Sequence, residues 1–339
     1  MSHRSPVMES ILEKMQEPLR QLFRTSQPVL LGTSSATGFM ETAVRSGVRE
    51  RVLVVDGGYF GDRFAKVAEA CGKEVVRVSI HPGRALEPDQ LEQFLDGPDV
   101  DAVALVHSET STGALAPLEE LARVIRARSS ALILVDAVTS LGASPVETDE
   151  WGLDFVFTGS QKALAVPPGL ALAVASERMI ARAHAVDARG WYLDVLLHDA
   201  AARKNQPTQT PAMPQFFALK AQLERIDAEG GIEARWRRHR EMQLAVERWQ
   251  VDHPQVNFLA PEGRRSWAVS ALEVQGERPA TEIVKSMRER GWTLGAGLDE
   301  MAPRLIRIGH MGDLQVEHVE EMLGVLGEEL TGSSVRSER

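Results

Sequence analysis

Two residues carry the strongest chemical signal in this sequence, a lysine and an aspartate. Lys162 stands in Thr158-Gly159-Ser160-Gln161-Lys162, directly after the apolar run Asp154–Phe157. A lysine behind small polar residues at the carboxyl end of a buried strand is partly desolvated, which frees its amine to attack a carbonyl carbon. Asp136 follows the apolar run Ala131–Val135. A carboxylate there needs a backbone donor or a cation, and opposite a ring nitrogen it would keep that nitrogen protonated and the ring an electron sink. Alone, Lys162 is as readily structural as chemical, and Asp136 is more readily the cap of a turn. As a pair they say more, because each ends its own strand and both can point into one cleft.

Two further groups fit the same cleft. Ser34-Ser35-Ala36-Thr37-Gly38 lies between the apolar run Val29-Leu30-Leu31 and a helix expected over Phe39–Arg45. Small hydroxyl residues opening a helix leave unpaired amides for an anion such as phosphate, although a plain helix cap is the default reading. Arg304 and Arg307 flank a short apolar run. Spaced three apart on a strand they face opposite sides, so only one can enter the cleft. A guanidinium fork is a natural clamp for a carboxylate, and a solvated role suits Arg304 better than Arg307.

The elements that must position these residues alternate. Strands are expected over Val52–Asp56, Glu74–Ile80, Ala102–Val106, Ala131–Val135, Asp154–Phe157 and Leu170–Ala175. Helices are expected over Glu9–Phe23, Phe64–Ala70, Pro88–Leu95 and Leu118–Arg128. Such alternation predicts an α/β fold with a mainly parallel sheet, whose ligands sit at the carboxyl ends of the strands. After Ala181 the pattern changes. An extended connection over Asn205–Pro214 leads to helices over Gln215–Glu229 and Ile232–Gln250. Then come a strand (Ser266–Val274), a helix (Ala280–Arg290), a strand (Leu305–Ile308) and a helix (Val316–Leu326), the makings of a small α+β unit. His239, among Arg235, Arg237, Arg238 and Arg240, reads as part of a solvated helix face.

Composition narrows the functional classes. The 339 residues suffice for two domains, and 43% hydrophobic with 25% charged residues is globular. A net charge of −10 argues against broad nucleic-acid binding. No apolar run is long enough for a membrane helix, and the first residues lack the apolar core of a secretory signal. The single cysteine, Cys71, allows no intrachain disulfide, suggests a cytoplasmic location, and reads as a buried structural thiol. The nine histidines show no ligand spacing, so no metal is expected.

The run Thr158-Gly159-Ser160-Gln161-Lys162-Ala163-Leu164, followed by Pro167-Pro168-Gly169, resembles the cofactor-lysine motif of the class V pyridoxal-phosphate aminotransferases. The likeness is strongest to the alanine–glyoxylate, serine–glyoxylate and serine–pyruvate branch. His107-Ser108-Glu109-Thr110-Ser111-Thr112-Gly113, Val135-Asp136-Ala137-Val138-Thr139-Ser140-Leu141-Gly142 and Arg307-Ile308-Gly309-His310-Met311-Gly312 are similar to that group's other signatures, in the same order. The resemblance spans nearly the whole chain. It implies fold type I, with a seven-stranded sheet in a large domain (1–232), a small C-terminal α+β domain (233–332) and a polar, frayed tail (333–339).

The resemblance also implies roles. Lys162 would hold pyridoxal 5'-phosphate as a Schiff base and shuttle the α-proton, with Asp136 on the pyridine nitrogen. Thr110 would sit near the ring hydroxyl and Phe60 would stack on the ring. Ser35, Ala36 and Thr37, with Gln161 beside them, would cradle the phosphate. Arg307 would hold the substrate carboxylate. The implied reaction is ping-pong transamination between alanine or serine and glyoxylate or pyruvate. A homodimer with shared active sites is implied too, Thr210 reaching the partner's phosphate.

Several departures qualify this picture. Gln209 replaces a frequent aromatic, and Ala36 a frequent glycine, which a negative φ would tolerate. Relatives carry a Pro-Gly-Pro-type segment ahead of the counterpart of His3–Pro6. Its absence here predicts reduced activity or specificity. Alternative readings are a pyridoxal-phosphate lyase and a cofactor-binding relative without catalysis; Cys71 is too remote in sequence to favour a desulfurase.

Overall fold

A computed structural model describes residues 5–332. His3, Arg4 and the polar tail 333–339 lie outside the described residues. The first half of the chain runs α1 (Pro6–Phe23), β1 (Val29–Gly32), α2 (Ala36–Gly47), β2 (Arg51–Asp56), α3 (Tyr59–Ala70), β3 (Glu74–Ser79), α4 (Pro88–Leu95) and β4 (Ala102–Val106). A short hairpin of β5 (Ser108–Glu109) and β6 (Ala114–Leu115) follows, then α5 (Leu118–Arg128), β7 (Leu132–Asp136), β8 (Phe155–Gly159) and β9 (Ala171–Ala175). Four helices come next: α6 (Glu177–His184), α7 (Val195–Ala202), α8 (Met213–Ala228) and α9 (Gly231–Val251). The C-terminal unit is β10 (Val256–Phe258), β11 (Val269–Val274), α10 (Ala280–Glu289), β12 (Gly295–Ala296), β13 (Leu305–Gly309) and α11 (Val316–Thr331).

Seven strands form the large sheet in the order β1-β9-β8-β7-β4-β2-β3. The run from β3 to β8 is parallel, while β9 lies antiparallel to both β8 and β1. Alternation along each strand feeds two cores. Leu53, Val55, Val103, Leu105, Ile133, Val135 and Val156 face α1, α5 and α8. Their neighbours Val52, Val54, Ala102, Ala104, Leu132, Leu134, Phe155 and Phe157 face α2, α3, α6 and α7. On that second face Phe39 meets Phe155, and Phe64 meets Phe157, edge to face at 6.3 and 5.9 Å. Strands buried on both faces read as continuous apolar runs, which is why they were legible.

A second, antiparallel sheet runs β10-β11-β13-β12 and packs with α10 and α11 around its own core. Helix α9 serves both units. Its Ile232 and Trp236 belong to the large-sheet core, whereas Met242 and Val246 belong to the small one. The boundary expected at 232/233 falls in its first turn.

Three expectations need correction. The strand expected from Ser266 begins at Val269, because Ser266 instead bonds the β5–β6 hairpin: its amide donates to the Gly113 carbonyl (2.8 Å) and its hydroxyl pairs with Ser108 (2.7 Å). His239 is not on a solvated face. It and Arg235 are buried, because that face of α9 packs under the chain that follows β13. Cys71 is half-buried, being the residue that ends α3. Helices α6 and α7 were not anticipated.

Candidate active site

The carboxyl ends of β4, β7 and β8 lie side by side, so the segments 107–113, 136–140 and 159–162 share one end of the sheet. Asp136 is the last residue of β7, paired with Val106 and Phe157, and only 4% exposed. Its Oδ1 accepts one hydrogen bond, from the Val138 amide at 2.9 Å. No cation lies within ion-pairing distance among the described residues. Burial therefore pushes its carboxyl up to about 7; the Val138 amide opposes this, the nearby Glu109 charge adds to it, and Lys162 and Arg63 oppose it from farther away.

Lys162 follows β8 on a tight loop. The Ser160 hydroxyl donates to the Pro167 carbonyl (2.8 Å), the Val166 amide to Ser160 (3.0 Å) and the Ala165 amide to Lys162 (2.9 Å). Ala165 adopts φ +53°, a left-handed conformation that alanine rarely occupies, so the loop carries strain. The Lys162 amine is half-buried and makes no hydrogen bond or ion pair among the described residues. Burial, then the like charge of Arg307, pulls its pKa down, while Asp136 and Glu109 pull the other way.

Arg307 comes from the small sheet, opposite Ala271 on β11 and Gly295 on β12. Two carbonyls fix its guanidinium: Nε donates to Ala296 (2.7 Å) and Nη1 to Thr110 (3.3 Å). Its Nη2 makes no hydrogen bond, and no carboxylate pairs with it, among the described residues. The Thr110 hydroxyl is buried and bonded to that of Thr139 at 2.5 Å. Arg307 is hydrogen-bonded to Thr110, and Lys162 lies close enough to Asp136 and Arg307 for their charges to act on it.

Sequence reasoning gave Glu109 no role, yet it organises one wall of this place. It is 5% exposed. Oε2 accepts from the amides of Phe60 (3.0 Å) and Gly61 (3.2 Å), and Oε1 from the amide (3.0 Å) and hydroxyl (2.5 Å) of Ser111. Glu109 thereby opens α3 and sets Phe60, whose ring lies under Arg63 at 4.9 Å. Burial raises its pKa against those four bonds. The signal was available: an acid soon after the buried strand Ala102–Val106 needs partners, as Asp136 does. Gly58 permits the approach, since a Cβ there would sit 2.6 Å from the Ser111 hydroxyl oxygen and 2.7 Å from the Glu109 side chain.

The remaining expected residues lie as follows. Ser35 caps α2 without a side-chain bond, and the first turn, with Ala36 and Thr37, holds no acid. The Gly38 amide donates to the Ser35 carbonyl (2.9 Å), while those of Ala36 and Thr37 have no partner among the described residues and are open to an anion. Ala36 keeps a negative φ, so it serves in place of glycine. Gln161 is exposed and folds over Gly159. Thr210 is exposed; its segment is tied to the α2 entry where the Ala212 amide donates to the Thr33 hydroxyl (3.0 Å).

These residues fit a pyridine cofactor bearing an aldehyde and a phosphate. A buried carboxylate with a single donor wants a cation, an unpaired amine wants a carbonyl, and an uncapped helix start wants an anion. The class-V aminotransferase family profile matches residues 1–308. The chain is 37% identical to a protein of Synechococcus sp. named soluble hydrogenase small subunit, over 91% of this chain and 82% of that one. It is 31% identical to the L-aspartate–glyoxylate aminotransferase of Paracoccus denitrificans, over 92% and 81%. The alanine–glyoxylate aminotransferase of Nostoc sp. superposes with a TM-score of 0.91 at 28% identity, over 97% of this chain and 89% of that one. Sequence and structure together place this chain in the class-V aminotransferases, which depend on pyridoxal phosphate.

Proposed function

We propose that this aminotransferase moves an amino group from a small L-amino acid, alanine or serine, to glyoxylate or pyruvate in two ping-pong half-reactions. The observation that carries the reading is the nearness of Lys162 and Arg307, two half-buried cations whose charges act on each other and which pair with no carboxylate among the described residues. A bound amino acid would supply that carboxylate to Arg307 and present its α-carbon to the Lys162 amine. The bound cofactor supplies an electron sink for the charge left when the α-proton departs.

In this reading Lys162 would be the residue that anchors the cofactor through its amine. Its lowered pKa favours the free amine, which then takes the α-proton and returns it one atom away. Asp136 would hold the ring nitrogen protonated, Thr110 would serve the ring hydroxyl, and Phe60, whose amide Glu109 holds, would stack on the ring. The α2 entry of Ser35, Ala36 and Thr37, with Gln161, would receive the phosphate. Arg307 orients the substrate; such positioning can supply a large part of the rate.

Thr210, exposed and with no side-chain hydrogen bond among the described residues, would complete the phosphate site of a second copy. Trp191 (68% exposed) and Tyr192, whose hydroxyl donates to the Thr33 carbonyl (2.8 Å), offer an apolar surface beside the same α2 entry. A monomeric mass in solution with full activity would overturn this dimer. A cytoplasmic location belongs to the same proposal, supported by the one free cysteine.

The experiment is visible absorbance. Purified protein with pyridoxal phosphate is expected to show a yellow band that L-alanine or L-serine bleaches and glyoxylate or pyruvate restores, and that Lys162→Ala lacks. A band that persists in Lys162→Ala sinks the anchor. Aspartate or phosphoserine outrunning alanine and serine severalfold sinks the choice of donors.

A further inference from the structure

Arg235 is fully buried, on a helix outside the cleft, with 1% of its surface exposed. Its Nε and Nη2 both donate to the carbonyl of Ala163, the residue after Lys162, at 3.0 and 2.6 Å. The same Nη2 donates to Asp313 Oδ1 at 2.9 Å. Asp313 stands just beyond β13, the strand that carries Arg307. One guanidinium therefore bridges the loop of the candidate cofactor lysine and the segment leading from the candidate substrate arginine.

Its neighbours on α9 reinforce the bridge. Arg238 and His239 lie three and four residues on, along the same helix face. Arg238 Nη2 donates to the Gly312 carbonyl (3.0 Å), and His239 Nε2 accepts the Gly312 amide (3.1 Å). Nδ1 of His239 is then the protonated nitrogen and donates to the Arg235 carbonyl at 2.7 Å. Gly312, at φ +78°, lies against the lysine loop: a Cβ there would meet the Ala165 Cβ at 3.1 Å and the Lys162 carbonyl at 3.6 Å. The clamp thus packs closely on the loop that holds Ala165 in a left-handed conformation. Asp313 is kept in place by Gln222 and Arg225, each at 2.8 Å, and Glu229 gathers Arg225 and Arg238.

We propose that Arg235 is a positioning residue for Lys162, fixing the lysine loop against the Arg307 strand so that one amino acid meets both groups at a constant separation. A buried guanidinium is costly, and an apolar residue of similar volume often serves stability as well or better. A planar fork that reaches a carbonyl and a carboxylate together is something neither an apolar side chain nor a lysine provides. The inference rests on the proposed role of Lys162.

The test uses Arg235→Lys, which keeps the charge and loses the fork, and the double variant Arg235→Met/Asp313→Leu, which removes both charges so that neither is left buried alone. Hydrogen exchange of residues 160–168 is measured on the cofactor-free protein. The growth of the visible band on adding pyridoxal phosphate, and kcat with KM for the amino donor, are measured beside it. Both variants are expected to exchange faster in this loop, to form the band more slowly, and to lose about ten- to a hundredfold in kcat with KM little changed. Arg225→Ala, which touches Asp313 but not Ala163, is expected to leave the loop exchange as in the wild type. Unchanged loop exchange and band growth in both variants, with only a lower Tm, overturns the role of Arg235 and leaves that of Lys162 standing. A wild-type protein that forms no band overturns both.

Discussion

Asp136 and Asp154 lie at opposite ends of adjacent strands in the middle of the large sheet, 4% and 2% exposed. Asp154 precedes β8 at the amino end and is saturated. It accepts from the Ile133 amide (2.8 Å), the Ser176 hydroxyl (2.8 Å) and Arg126, with Arg178 at 3.5 Å. Asp136 closes β7 at the carboxyl end and accepts only from the Val138 amide. The same side chain at the same depth thus does two jobs. At the amino end its charge is cancelled by the protein and ties strands to helices; at the carboxyl end, among the described residues, its hydrogen-bonding capacity is largely unfilled. Burial alone does not mark a functional acid, but burial with unfilled hydrogen-bonding capacity does.

Neutralising each aspartate should separate the two jobs. Asp136→Asn is expected to lower kcat by about 100- to 1000-fold, the scale on which one aimed charge contributes to a transition state, while the protein stays folded. Asp154→Asn is expected to do the reverse. Breaking a buried ion pair from one side costs about 3 kcal/mol, seen as a lower midpoint in denaturant, with kcat per folded molecule unchanged. The comparison breaks if both variants lose stability alike or if Asp154→Asn lowers kcat in folded protein.

A smaller effect should appear in the pH dependence of the cofactor-free protein. Burial raises the Asp136 pKa from 3.8 to about 7, so the fold prefers the neutral carboxyl. Its contribution to stability is fully present below 3.8 and is lost as pH climbs through about 7. Glu109, also raised, acts in the same direction. His107 and His310, lowered to about 4 by burial, act oppositely near neutrality. The readout is therefore the difference between wild type and Asp136→Asn. The Tm advantage of the variant should grow from pH 4 to pH 7, and a constant difference would show that Asp136 is not strained by its site.

Much of this was legible because the large sheet is buried on both faces. Its strands are apolar runs, and the residues that end them, Asp136 and Lys162, break those runs visibly. Arg307 stood out by the same contrast. What was hidden depends on contacts made across the fold. Glu109 gains meaning only when α3 places the Phe60 and Gly61 amides on it. Arg235 and His239 looked solvated because their stretch of α9 is rich in charge, and nothing local announces that the 312–313 segment will cover them. Helix α7 begins with Val195-Leu196-Leu197, a run without helical spacing, and α6 is only eight residues long. The anion-site reading of Ser35–Thr37 came from residue type; the uncapped start of α2 came from the fold.

Arg304 and Arg307 carry the comparison to its weakest case. Arg304, 59% exposed in its side chain, pairs with Glu273 at the rim of the small sheet. Its carbonyl accepts the Val274 amide at 2.9 Å whatever the side chain does. Arg307, three residues on, turns inward and spends its donors on carbonyls, leaving its charge uncancelled. An ion pair at such a rim is screened by water and salt and contributes at most about 1 kcal/mol. Arg304→Ala should therefore shift the Tm slightly, lose even that shift in high salt, and leave KM for the amino donor unchanged. A rise in KM would mean that Arg304 acts on the substrate through β13, and the inward–outward division of the two arginines would fail.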